Sequence, residues 1–212
     1  MPALADFLLF LAAALAIALT PGPGLLYVAA RTLAAGRAEG LASTLGLTLG
    51  GLVHVLAGGL GVSALLVASA EAFTLFKVLG ALYLVWLGIR TFRGSDLPDL
   101  AGGAERPRGN ARKAFRDGIL VETLNPKTAA FFLAFIPQFV DPAAGPVFWQ
   151  FVLLGTISVL LNGAADLAMI LGADRLGRLF VRRPRTYRRV RQGSGLAYCG
   201  LGISLALARR PT

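Results

Sequence analysis

Among the polar and ionisable side chains in otherwise apolar stretches of this chain are His54, Glu122, Asn125, Lys127, Asn162 and Asp166. Burying an ionisable group is costly, so such groups are usually functional or paired. Glu122 and Lys127 flank the Pro of "ETLNPKT", and Asp166 follows Asn162 by four residues, which puts both on one face of a helix. Two acids and a lysine suit a charge-compensated cluster that exchanges a proton for a substrate ammonium group. Glu122, Asp166 and His54 are therefore the proton-coupling candidates, with Asn162 as a further polar group along the path. The plainer reading makes Glu122 and Asp166 structural ion-pair members and His54 a hydrogen-bonded packing residue.

Backbone chemistry adds a second signal. "LTPGPGLLYVAA" starts at Leu19 and "LNPKTAAFFLAF" at Leu124. Each reads Leu, then Thr or Asn, then Pro, with an aromatic six residues past that Pro, Tyr27 and Phe132. Thr20 before Pro21 and Asn125 before Pro126 are helix-start patterns: a side-chain oxygen caps free N–H groups, and Pro is tolerated at the first helical position. Each break should end one half-helix and begin another, leaving N–H donors and partial positive charge for a substrate carboxylate. The candidate substrate-binding residues are Thr20, Pro21, Gly22, Pro23, Gly24, Asn125, Pro126 and Lys127.

The elements that must carry these residues are membrane helices. Of 212 residues, 56% are hydrophobic and 15% charged, and the mean hydropathy is +0.68. A spanning helix needs about 20 mostly apolar residues. Six windows qualify, at Leu4–Ala30, Leu41–Ala68, Phe73–Phe92, Ile119–Val140, Pro146–Leu171 and Ser194–Ala208, the last being the shortest. The expected fold is an all-α membrane protein of six transmembrane helices, with the first and fourth broken at their Pro motifs. Glycines at 46, 50, 51, 58, 59 and 61 crowd the second window, where close backbone approach drives helix association in lipid. They suit internal packing and a homodimer equally.

Net charge +10 raises nucleic acid as a partner, but the placement of the charge excludes it. Seventeen of the 21 Lys and Arg fall in three stretches: Arg31 with Arg37, Arg90 to Arg116, and Arg175 to Arg191. The alternate connections hold Glu71 and Asp141 instead. This is the positive-inside pattern. It puts the three stretches in the cytoplasm, where they can meet anionic lipid, and both termini outside. Asp6 stands where a signal peptide would be basic. One His, one Cys and two Met are too few for a soft-metal site, and no metal or other cofactor is expected. The acids are scattered, without the clustered motif of a lipid-modifying enzyme.

A Gly-, Pro- and charge-rich stretch at 93–113 reads as a cytoplasmic linker. It separates a first three-helix repeat, 1–92, from a second, 114–212, within a single transporter domain. Three is odd, so the second repeat enters the membrane inverted. Pro-interrupted segments at matching positions of two inverted halves point to a transporter's binding site.

"TPGP", "AARTLAAGRAEGLASTLG", "FTLFKVLGALYLVWLGIRTFR" and above all "FRDGILVETLNPKTAAFFLAFIPQFVD" resemble the LysE/RhtB family of amino-acid exporters, on its RhtB-like branch. The resemblance covers nearly the whole chain. It implies a bacterial inner-membrane protein, not an enzyme, that expels amino acids or small derivatives by proton antiport, with a small zwitterion and protons as partners. The chain departs from the family at three places. Many relatives carry Asn where this chain has Gly24, an acid where it has Gly51, and Asn where it has Glu122. The rival readings are a metal-ion or other small-solute carrier on a related fold, and a non-transporting membrane protein.

Overall fold

A computed structural model describes residues 4–68, 70–93, 110–182 and 184–207. Among them there is no strand. The helices are α1 (Leu4–Leu19), α2 (Pro23–Ala35), α3 (Arg37–Ala68), α4 (Ala70–Arg93), α5 (Ala111–Thr123), α6 (Pro126–Ala130), α7 (Val147–Arg182) and α8 (Pro184–Leu207). Short irregular turns join α6 to α7. Most of the expected linker, 94–109, lies outside the described residues; Asn110 caps α5 by accepting from the Lys113 N–H, so the second half's first helix starts at Ala111.

Both Pro motifs break their helices as the sequence predicts. The axes of α1 and α2 differ by 45°, and those of α5 and the Pro126–Phe139 segment by 41°. The Arg37–Ser63 part of α3 and the Val147–Ala173 part of α7 are each long and apolar enough to cross a membrane, and counting each bent pair as one span raises the number to four.

Helix ends are less legible than helix centres. The basic stretch Arg175 to Arg191 was expected to join two helices, yet α7 runs through Arg182 and α8 begins at Pro184. Apolarity marks what lies in lipid, whereas an α-helix satisfies its backbone internally and can continue into water. After Ala130 the chain turns π-helical at Phe131–Phe135, with the Ile136 N–H donating to Phe131 O, and then 3-10 at Ile136–Phe139. Pro137 accounts for the change: it lacks an N–H, and its ring would clash with the carbonyl four residues back.

The exterior is apolar, and the interior combines an apolar core with buried polar groups. On α3 the exposed side chains form a stripe, Leu41, Leu45, Leu49, Val53, Leu56 and Leu60, while Ser43 and Thr44 are buried. On α7 Leu153, Leu160, Leu167 and Leu171 are exposed, and Ser158 and Asp166 buried. Lipid can solvate the first set, and only protein the second. Buried aromatics fill the remaining core: Phe10 meets Phe139 edge-on at 5.4 Å, Phe135 lies 5.0 Å from Phe139, and Phe132 lies 6.1 Å from Phe151.

Glycines set the tightest contacts. A Cβ on Gly46 would fall 2.1 Å from Phe115 O, one on Gly50 2.7 Å from Ile119 O, and one on Gly118 2.7 Å from Ser43 O. So α3 and α5 touch backbone to backbone. In the same way α4 and α8 meet at Gly88, Gly195 and Gly202, beside the half-buried thiol of Cys199. Gly51, Gly58 and Gly59 make room for Val159, Phe151 and Phe148, whereas Gly61 has nothing within 4 Å. Gly36, at φ +93°, makes the turn between α2 and α3.

Candidate functional site

The second break builds most of the site. Asn125 caps α6 as its position predicts: its Oδ1 accepts from the Lys127 N–H at 3.0 Å, and Pro126 occupies the first turn. Its Nδ2 donates to Glu122 Oε2 at 2.9 Å. Thr128 Oγ1 donates to the other carboxylate oxygen, Oε1, at 2.7 Å. Two residues that flank one Pro therefore fix the buried carboxylate of Glu122 by both oxygens. The role of Thr128 was not read from the sequence; its place one turn past the Asn125 cap is the signal that would have found it.

The first break departs from expectation at Thr20. This residue does not cap α2. Its Oγ1 donates back to Ala16 O at 2.7 Å, the four-residue back-bond common for Thr in helices. The second helix starts two residues later than expected, with Gly22 as its N-cap, no side-chain capping bond, and Pro23 in the first turn. With two prolines to choose from, the start falls at the second one. Thr20 instead contributes its carbonyl: Lys127 Nζ donates to Thr20 O and Ile17 O, both at 3.3 Å. Carbonyls at the end of a helix lack a partner one turn on; Ile17 O also accepts from the Thr20 N–H at 3.1 Å, and both oxygens here face an ammonium rather than water. A Cβ on Gly22 would lie 3.0 Å from that Nζ.

Gly24 explains how the two breaks fit together. A Cβ there would lie 2.9 Å from Glu122 Oε2 and 3.3 Å from Leu47. The carboxylate of Glu122 occupies the space that a side chain at position 24 would fill.

Around these groups lies a small cavity of about 30 Å³. Gly24, Glu122, Asn125, Lys127, Asn162 and Asp166 all line it. Ala18, Leu25, Leu47, Thr48, Gly51, Thr128, Phe132 and Val159 complete the wall, and the sequence assigned none of these to substrate. Asp166 is 6% exposed. Among the described residues it makes no hydrogen bond and no ion pair within 4 Å. Asn162, one turn earlier, spends its Nδ2 on Ser158 O at 2.8 Å. Thr20, Pro21, Gly22, Pro23 and Pro126 shape the breaks without lining the cavity. His54 also stays outside it: its Nε2–H donates to the backbone oxygen of Glu122 at 2.9 Å, and its ring packs 5.9 Å from that of Phe132.

A separate polar cluster, not anticipated from the sequence, ties the turn at Gly36 to the start of α5. Arg31 Nε lies 3.1 Å from Glu39 Oε2, an ion pair without hydrogen-bond geometry. The Asn110 N–H donates to the other oxygen of Glu39, and Tyr27 OH donates to Ala114 O at 3.0 Å.

Two bent helix pairs thus flank buried charges, beneath an apolar exterior. Residues 15–209 match the model of the LysE type translocators. The chain belongs to the LysE family. It is 33% identical over 204 residues to an uncharacterised membrane protein of Vibrio cholerae, covering 96% of this chain and 97% of that one. It is 31% identical over 199 residues to a homoserine/homoserine lactone efflux protein of Salmonella typhimurium, covering 91% and 92%. A leucine efflux protein of an Enterobacter species is 30% identical over 160 residues, 74% of each chain. No solved structure matches this LysE family member significantly. The relatives agree with the RhtB-like branch that the motifs indicate, so the protein is a member of a membrane translocator family whose named relatives export amino acids.

Proposed function

We propose that the protein is a secondary exporter of amino acids or small amino-acid derivatives, driven by proton antiport across the bacterial inner membrane. One observation carries this reading. The cavity between the breaks holds two buried acids, Glu122 and Asp166, and one buried base, Lys127. The ammonium of Lys127 is already bound to the end of α1. With all three ionised, the cavity is one positive charge short. Uncompensated charge is expensive at low dielectric, so the site takes either a proton or the ammonium group of a substrate. Exclusive occupancy by one or the other is what antiport requires.

In this reading the half-helix starts, Thr20–Gly24 and Asn125–Lys127, receive the carboxyl end of the substrate. Asp166 receives its ammonium group, Asp166 or Glu122 carries the proton, and Asn162 lies along the path. His54 positions Glu122 through the bond to its backbone oxygen. Six spans in two inverted repeats complete the proposal: α1 with α2, then α3 and α4; α5 through Phe139, then α7 and α8. The packing of α3 on α7 and of α4 on α8 supports it, because a two-fold axis brings equivalent helices together.

Export from loaded cells tests the function. Cells expressing the protein and matched controls are loaded with threonine, homoserine, leucine or lysine, and efflux is followed. Faster efflux of at least one is expected; no difference for any of them contradicts the amino-acid reading.

A further inference from the structure

We propose that the Glu122 carboxylate is a built-in occupant of the carboxyl end of the site, so that the preferred substrates are ammonium compounds with a masked carboxyl, as in an amino-acid amide, ester or lactone. The inference rests on the transport reading above and narrows its substrate class.

Three observations combine. First, Glu122 already uses the side-chain donors at the second break: Asn125 Nδ2 at 2.9 Å on one oxygen and Thr128 Oγ1 at 2.7 Å on the other. Second, the same carboxylate lies over the start of α2, where only the missing side chain of Gly24 gives it room. The place that joins the two breaks is therefore filled by the protein's own anion. Third, Asp166 lines the same cavity, more than nine-tenths buried and without a hydrogen bond or ion pair among the described residues. Its missing partner is a proton or a cation.

Lys127 does not reverse this balance. Its Nζ is committed to the carbonyls of Ile17 and Thr20, and no oxygen of Glu122 or Asp166 lies within ion-pair distance of it. A free amino acid would bring a third carboxylate into a cavity with no uncommitted cation, where like charges repel strongly. An ammonium compound with a neutral carbonyl meets no such repulsion. Its ammonium group satisfies Asp166, and its carbonyl oxygen can accept from N–H groups at the uncapped start of α2.

Equilibrium binding to the full-length protein in detergent at neutral pH tests this, with matched pairs: threonine and threoninamide, leucine and leucinamide, homoserine and homoserine lactone. The masked member of at least one pair should bind about tenfold or more tightly than the free acid. In Glu122→Gln the gap should shrink, because the free acid gains. Wild-type protein binding free and masked members equally overturns the inference and leaves the transport reading intact. So does a gap that persists unchanged in a folded Glu122→Gln protein. Binding of no member of any pair overturns both.

Discussion

Lys127 Nζ donates to the backbone oxygen of Thr20 at 3.3 Å, so the ammonium group of the second break holds the end of the helix that precedes the first. The same nitrogen reaches Ile17 O. Lys127→Met would strip the buried carbonyl of Thr20 of its donor, take one of two donors from Ile17 O, which keeps the Thr20 N–H, and leave both cavity acids without a base. Leaving buried polar groups unsatisfied costs about 1–3 kcal/mol each. The variant should unfold at a lower temperature in detergent, as followed by tryptophan fluorescence, and should lose export. An unchanged unfolding midpoint would show that this bond is not what joins the breaks.

The backbone contact between α3 and α5 makes a sharp comparison between two glycines of one helix. A Cβ at Gly46 meets a carbonyl oxygen at 2.1 Å, whereas one at Gly61 meets nothing within 4 Å. Gly46→Ala should destabilise the protein by about 1–3 kcal/mol or more, the usual cost of overpacking. Gly61→Ala should be neutral, or stabilising by up to about 1 kcal/mol from helix propensity. Thermal midpoints of the two variants, purified in parallel, decide the matter.

The two breaks also differ in what their capping residues do. Asn125→Ala removes a cap worth about 1 kcal/mol together with a donor to Glu122, so it should reduce both stability and export. Thr20→Val removes a back-bond within α1 and a buried hydroxyl beside Tyr198, while its carbonyl still serves Lys127. It should cost less than Asn125→Ala, because the donors to Glu122 stay in place. Equal losses in the two variants would mean that the first break depends on a Thr20 cap after all.

This asymmetry marks how far the sequence could be read. The breaks themselves were legible, because Pro in an apolar run leaves backbone groups that lipid cannot satisfy. Asn125 was legible as a cap because only one Pro follows it. In "TPGP" two prolines compete for the first helical turn, and local pattern does not choose between Pro21 and Pro23. The clustering of Glu122, Lys127 and Asp166 followed from the cost of burying charge. That Lys127 turns to α1 rather than to either acid depends on where the end of α1 lies, which is tertiary information. Positions 24 and 122 lie far apart in sequence, and no local pattern links them. In space they are one feature, a missing side chain and the carboxylate that takes its place.

The polar cluster at the Gly36 turn has a local readout. The amide of Asn110 donates to the Glu39 carboxylate, and Glu39 also pairs with Arg31. Glu39→Ala should speed hydrogen exchange at the start of α5, in peptides that begin near Asn110, while the centre of α7 keeps its wild-type protection. Uniform acceleration across both regions would indicate global destabilisation rather than loss of this tie.

The central claim is that the cavity between the breaks, with Glu122 and Asp166 in its wall, exchanges a proton for a substrate ammonium group. Its most direct test is efflux from proteoliposomes under an imposed pH gradient, using the best substrate from the export screen, for wild type, Asp166→Asn and Glu122→Gln. Wild-type efflux should rise with an inward proton gradient. At least one of the two variants should lose that dependence while remaining folded. If both variants keep wild-type coupling to the gradient, the proton does not travel on these carboxylates and the account is wrong.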